Sequence, residues 1–197
     1  MATMHYLFLG VLSVAVLLLS GFGHRPVVEH NVPSSPYEQV AVHYGASELS
    51  SSVNFRERIV DIARHEMAVK EATGNNDGPR VEEYLAYTGF GKGHAWCAAF
   101  VSWCYGKAGL PAPRNAWSPA LFPLARRYTK EQIQGGVIRR ADLFAIYNQK
   151  LGRIDHVGIV QKMERNWILT VEGNVNNGVL SKRRSLATIY AFSNWLD

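Results

Sequence analysis

Two cysteines seven residues apart, Cys97 and Cys104, lie in the stretch GHAWCAAFVSWC, residues 93–104. Seven helical residues climb roughly 10 Å, whereas disulfide-bonded Cα atoms lie within about 7 Å of each other, so a helical run keeps the two thiols apart. From Trp96 to Ala108 there is no proline, Gly106 is the only glycine, and apolar residues recur at helical spacing. Gly109 and Pro111 stop the run, and Gly91, Gly93 and His94 mark its start, which puts Cys97 in or just before the first turn. Unpaired backbone N–H groups and the positive end of the helix dipole favour a thiolate there and can receive a developing oxyanion. Cys104, two turns on beside Phe100, Val101 and Trp103, reads as a core thiol. From the helix alone Cys97 reads equally as a small buried hydrophobe or as a nucleophile that still needs a base.

The candidate bases lie downstream of Gly136, where the pattern turns strand-like. Asp142 to Tyr147, His156 to Met163, Trp167 to Gly173 and Thr188 to Trp195 are β-rich runs separated by turn residues. A three-residue hairpin loop at Glu164, Arg165 and Asn166, with Asn166 left-handed, sets opposed residues so that His156 faces Asn174 and Gly158 faces Glu172. His156, Glu172 and Asn174 then share one face, and Val157, Ile159, Leu169 and Val171 take the other. Three polar residues on one side of an apolar hairpin suit a base with its orienting partners. Each alone is weak: a strand histidine is more often structural, Asn174 in EGNVNNG reads equally as the start of a turn, and a two-residue loop would break the alignment.

The elements that position these residues begin near Ser51. Phe55, Ile59, Ile62, Ala63 and Met67 repeat at helical spacing behind Ser51, Ser52 and Asn54 as caps, which predicts a first helix ending near Thr73. GNNDGP breaks the chain and a short helix from Val81 to Tyr87 follows. GNNDG lacks the alternating carboxylates and terminal glutamate of a calcium-binding EF-hand loop and reads as a turn. Helices first and a meander afterwards predict an α+β layer fold.

The chain of 197 residues is 47% hydrophobic, enough for one well-buried domain, read as residues 51–197. Residues 1–23 carry an apolar stretch from Tyr6 to Leu19, short for a membrane span, with Gly21 and Gly23 before a cut near His24. This resembles a secretory signal peptide and predicts an exported protein, periplasmic or extracellular. The n-region lacks a charge and holds only His5, so residues 6–19 also fit an uncleaved membrane anchor. No cysteine follows the apolar run, which argues against a bacterial lipoprotein anchor. Residues 24–50, with Pro26, Pro33 and Pro36, read as a linker. Lys and Arg outnumber Asp and Glu by 21 to 16, and the excess of five survives loss of the first 23 residues, which suits an anionic polymer such as cell wall. The basic residues are scattered in short clusters (Arg126 and Arg127, Arg139 and Arg140, Lys182 to Arg184) that read as solvated surface, and no nucleic acid is expected.

WCAAFVSWC with Cys97, DHVGIV with His156 and VEGN with Glu172 and Asn174, in that order, resemble the cysteine, histidine-dependent amidohydrolase/peptidase family, the CHAP domains of the papain-like NlpC/P60 superfamily. The resemblance covers roughly residues 55 to 195, and its ordered triple of motifs is more specific than any one of them. It implies a papain-like arrangement in which N-terminal helices, one carrying the cysteine, pack on an antiparallel sheet. It also implies a peptidoglycan hydrolase, either an N-acetylmuramoyl-L-alanine amidase or a peptide endopeptidase. Cys97 would be the nucleophile, His156 the general base and then acid, Glu172 the residue that orients the histidine, and Asn174 the accompanying asparagine. Before Asp142 the chain reads RRADLF where many relatives have Pro-Gly.

The substrate so implied is peptidoglycan or its stem peptides, cut without a metal or cofactor. His65, Glu66 and His94 form no HExxH pair, and there is no CxxC pair. Two other classes fit the same residues: a catalytically silent wall-binding module, and a protein-directed cysteine protease or acyltransferase.

Overall fold

The computed structural model describes residues 55–197; the segments expected to be a signal peptide or anchor (1–23) and a linker (24–50), and the first residues of the expected domain, lie outside the described residues. Helix α1 covers residues 55–65, α2 covers Pro79–Tyr87, and α3 covers Cys97–Lys107. After two short 3-10 turns and the five-residue α4 (Lys130–Gln134), the chain forms five strands. These are β1 (Leu143–Asn148), β2 (Arg153–Glu164), β3 (Trp167–Val175), β4 (Gly178–Ser185) and β5 (Ala191–Ser193). They make one antiparallel sheet in the order β4-β3-β2-β1-β5. The class is α+β, as the helix-then-meander pattern predicts.

Helix α3 is the centre of the packing. Every residue from Cys97 to Tyr105 is buried, and all but Ser102 are apolar, the mark of a core helix rather than an amphipathic surface one. One face meets Tyr84 and Leu85 of α2, while another rests on Val157 and Ile159 of β2 and Val171 of β3 within the same core cluster. A smaller cluster of Ile138, Phe144, Val160, Ile168 and Phe192 covers the far side of the sheet. Alternation along the strands produces this split, with odd-numbered Val157, Ile159 and Val171 towards the helices and even-numbered Val160 and Ile168 away from them.

The first helix is shorter than its apolar spacing predicts. It stops at His65, Ala68 turns left-handed (φ 80°), and Lys70 bridges to Gly178 at the start of β4. Tertiary pairing with a strand here overrides helix propensity, which is only a weak local preference. Ala141, in the RRADLF segment just before Asp142, also has a left-handed backbone (φ 68°). Asp142 is fully buried and held by Arg56 at 2.7 Å, by the Tyr128 hydroxyl at 2.9 Å and by the Arg139 N–H at 2.7 Å.

The hairpin between β2 and β3 differs from its expected form and keeps its expected register. Its loop has two residues, Arg165 and Asn166, and Arg165 is the left-handed one (φ 47°). A two-residue loop shifts the pairing by one, as in Glu164 opposite Trp167 and Met163 opposite Ile168. A bulge at Gln161 then takes up the extra residue, and beyond it Val160 faces Thr170 and Ile159 faces Val171, the pairing that the longer loop predicts. Strand β4, read from sequence as surface charge, pairs along most of β3.

Candidate active site

Cys97 is the first residue of α3, preceded by Trp96, whose own side chain provides no cap. The cap comes instead from β3, where the Asn174 Oδ1 accepts a hydrogen bond from the Trp96 N–H at 3.3 Å. Asn174 donates in turn to Glu71 Oε1 (3.1 Å) and to Asn76 Oδ1 (2.9 Å). Glu71 Oε1 also accepts from the Trp96 indole at 2.9 Å, and its Oε2 accepts from the Asn76 N–H at 2.9 Å. The turn at GNNDGP and the left-handed Asn174 (φ 59°) thereby fix where the cysteine helix begins.

Two glycines let the elements close around this point. A Cβ at Gly173 would lie 2.7 Å from the Trp96 ring and 2.8 Å from Phe100, so only glycine lets β3 run this near the start of α3. A Cβ at Gly158 would meet Phe144 at 2.6 Å and the Glu172 side chain at 2.8 Å. The bare backbone at Gly158 is what lets Glu172 lie across β2 towards His156.

His156 Nε2 and Glu172 Oε2 are 2.8 Å apart. With Nε2 engaged by the carboxylate, the other ring nitrogen is left for the Cys97 thiol, and the two groups shift each other's pKa, His156 lowering Cys97 and Cys97 raising His156. The Cys97 Sγ also lies 3.3 Å from the hydroxyl of Ser118, a buried residue in the loop after α3. The expected pairing of His156 with Asn174 does not occur. The ladder between β2 and β3 extends no nearer the site than Ile159 opposite Val171, and Asn174 turns to Trp96, Glu71 and Asn76 instead.

Burial and charge act against each other at each of these groups. Burial alone would push the Cys97 thiol up, but the hydrogen bond and charge of His156, with Ser118 and the Val157 backbone, hold it below the ordinary thiol value. Burial would lower His156, yet its bonds to Cys97 and Glu172 raise it to about 9. Glu172 is fully buried, which would raise its pKa, but Arg184, His156 and Thr170 bring it down to about 2. All three shifts act in one direction, favouring the charged forms of Cys97, His156 and Glu172 over the neutral ones. Cys104 has no such partners; burial and the Glu66 charge push its thiol up, and both cysteines are free.

Sequence reasoning missed three residues of this cluster, Ser118, Thr170 and Arg184. Ser118 sits in NAWSPALF, a loop with no periodic pattern, and nothing local marks it. Arg184 donates from Nε to Glu172 Oε1 at 2.6 Å and from its terminal nitrogen to Oε2 at 2.5 Å, while the Thr170 hydroxyl donates to Oε1 at 2.5 Å. Of its basic cluster, Arg184 is thus no solvated surface charge. Among the described residues, no group of three His, Cys, Asp or Glu side chains is placed to hold a metal ion.

Comparison with known proteins agrees with the family that the motifs resemble. Residues 89–174 match the family model of the CHAP domain, a span that holds Cys97, His156, Glu172 and Asn174. An NlpC/P60 family protein from Bacillus cereus is similar in structure, with a TM-score of 0.45 and 13% sequence identity, over 72% of this chain and 40% of that one. This chain therefore spans well under half of that protein. No protein of curated function matches.

Proposed function

We propose that this chain, whose residues 89–174 form a CHAP domain, is an exported peptidoglycan hydrolase that cuts an amide bond with Cys97 as its nucleophile. The family points to amidase or peptidase chemistry of the peptidoglycan-hydrolase kind. The observation that carries the finer reading is the line of contacts from Cys97 through His156 to Glu172 at the start of a buried helix.

The steps follow from that line. The Cys97 thiolate attacks an amide carbonyl, and the new oxyanion is received by the Cys97 backbone N–H at the head of α3. The His156 imidazolium gives its proton to the leaving amine, the C–N bond breaks, and a thioester on Cys97 remains. Neutral His156 then takes a proton from water, hydroxide adds to the thioester, and the carboxylic acid leaves as Cys97 regains its thiolate and His156 keeps the proton. Glu172 holds the ring and stabilises its charged form throughout. Asn174 serves the site by fixing the start of α3.

The bond cut is either the N-acetylmuramoyl-L-alanine amide or one within the stem peptide. Export through residues 1–23 belongs to the same reading, since a wall substrate lies outside the cytoplasm. Turnover on purified peptidoglycan compared with turnover on an unfolded protein tests the substrate class. The reading expects soluble products from the wall polymer and no comparable proteolysis, and the reverse result would make the chain a protein-directed cysteine protease.

A further inference from the structure

Glu172 is a fully buried carboxylate with four hydrogen-bond donors around it, and only one of them is the histidine that it would orient. Residues Ile168, Thr170 and Glu172 of β3 share one face, and Lys182 and Arg184 stand opposite Thr170 and Ile168 on β4. From its place opposite Ile168, the Arg184 side chain runs along the sheet past Thr170 to reach Glu172. Its guanidinium meets both carboxylate oxygens, passes 5.5 Å from the Phe144 ring, and its side chain is only 22% exposed. Planar two-point contact of this kind fixes both the position and the plane of a carboxylate, which a single point charge does not.

We infer that Arg184 is a positioning residue for the reaction: its two-point contact locks Glu172 as a permanent anion aimed at His156. This rests on the proposed roles of Cys97, His156 and Glu172. The need arises in the middle of the cycle. Once His156 has given its proton to the leaving amine, a buried carboxylate facing a neutral imidazole would be a lone charge, and such a charge is costly in a protein interior. The carboxylate would then compete with the leaving group for the proton. With Arg184 attached, Glu172 keeps its charge whether His156 is protonated or neutral, so the proton goes to the substrate and returns from water. Arg184 lies ten residues beyond the matched CHAP span, which ends at residue 174.

The test is a double-mutant cycle with Glu172→Gln, read as kcat and KM on a soluble peptidoglycan fragment. Arg184→Gln should lower kcat about a hundredfold with KM little changed, because Arg184 stands behind Glu172 and not in the path of the substrate. Arg184→Lys should recover part of that loss, since it restores charge without the two-point contact. In the Glu172→Gln background, Arg184→Gln should cost almost nothing more. Thermal unfolding of each variant shows that the comparison is made on folded protein. Equal losses in both backgrounds, or a folded Arg184→Gln enzyme at full speed beside an impaired Glu172→Gln, would overturn the inference. Full speed in Glu172→Gln itself would instead remove the orienting role of Glu172, and the inference with it.

Discussion

The imidazole of His156 stands between two partners of opposite demand, and its 2.8 Å bond to Glu172 decides which nitrogen faces the Cys97 thiol. Nε2 is committed to the carboxylate, so proton exchange with sulfur runs through the other side of the ring. That one relationship separates the roles of the two residues in the EGN motif. Glu172 acts on the histidine, and Asn174 acts on the backbone of Trp96.

Cys97→Ala should abolish turnover, because it removes the proposed nucleophile. Cys104 is fully buried with no polar partner, and Cys104→Ala should leave turnover near normal while costing about 1 kcal/mol for the small void. Activity and thermal unfolding measured on both variants decide this, and an inactive Cys104→Ala beside an active Cys97→Ala would reverse the assignment.

Glu172→Gln should cut kcat by several orders of magnitude in a folded domain, since a neutral amide stabilises the imidazolium poorly. Asn174→Gly keeps a residue that suits the left-handed backbone (φ 59°) but removes the cap on Trp96. Its main effect should be a loss of about 1 kcal/mol of stability with a smaller loss of rate. Chemical denaturation with parallel rate measurements separates the two effects.

Reactivity and turnover should diverge with pH. The Cys97 thiol is held down, so its alkylation, followed residue by residue by peptide mass mapping, should rise at a lower pH than Cys104 and then level off. Turnover should fall as pH passes about 9, where His156 loses the proton that the leaving amine needs, while alkylation of Cys97 continues. A turnover profile that keeps rising through that range would contradict the acid role of His156. Ser118→Ala removes a hydroxyl 3.3 Å from the sulfur that helps hold the thiol down, and should move the alkylation midpoint upwards.

The same groups set a stability window. Glu172 is lowered from 4.5 to about 2 on folding, so its contribution is complete above 4.5 and is lost as pH falls through 2. His156 is raised from 6.5 to about 9, so its contribution is complete below 6.5 and fades as pH rises through 9. Unfolding midpoints should therefore fall on the acid side as Glu172 takes up a proton and on the alkaline side as His156 loses one, and Glu172→Gln should flatten the acid side.

Legibility in the sequence followed periodicity. The α3 run CAAFVSWCY is apolar but for Ser102 and could hardly be anything but a core helix, and its glycine boundaries put Cys97 at its head. His156 and Glu172 came together because strand alternation set them on one face, although the loop that was expected to align them is one residue shorter and a bulge at Gln161 makes up the difference. Strand β4 was illegible because GVLSKRRS has little apolar alternation: it is an edge strand, and its ladder to β3 holds it there. Arg184 was missed with it. Asn174 faces Trp96 and not His156 because its left-handed backbone ends the regular alternation on which the expected pairing depended.

The most direct measurement is mass spectrometry of the products that the chain and its Cys97→Ala variant release from purified peptidoglycan. The account predicts fragments with a new carboxyl and a new amine at one amide bond, made by the unaltered chain and absent with Cys97→Ala. New reducing sugar ends, or the same amide products from Cys97→Ala, would contradict it.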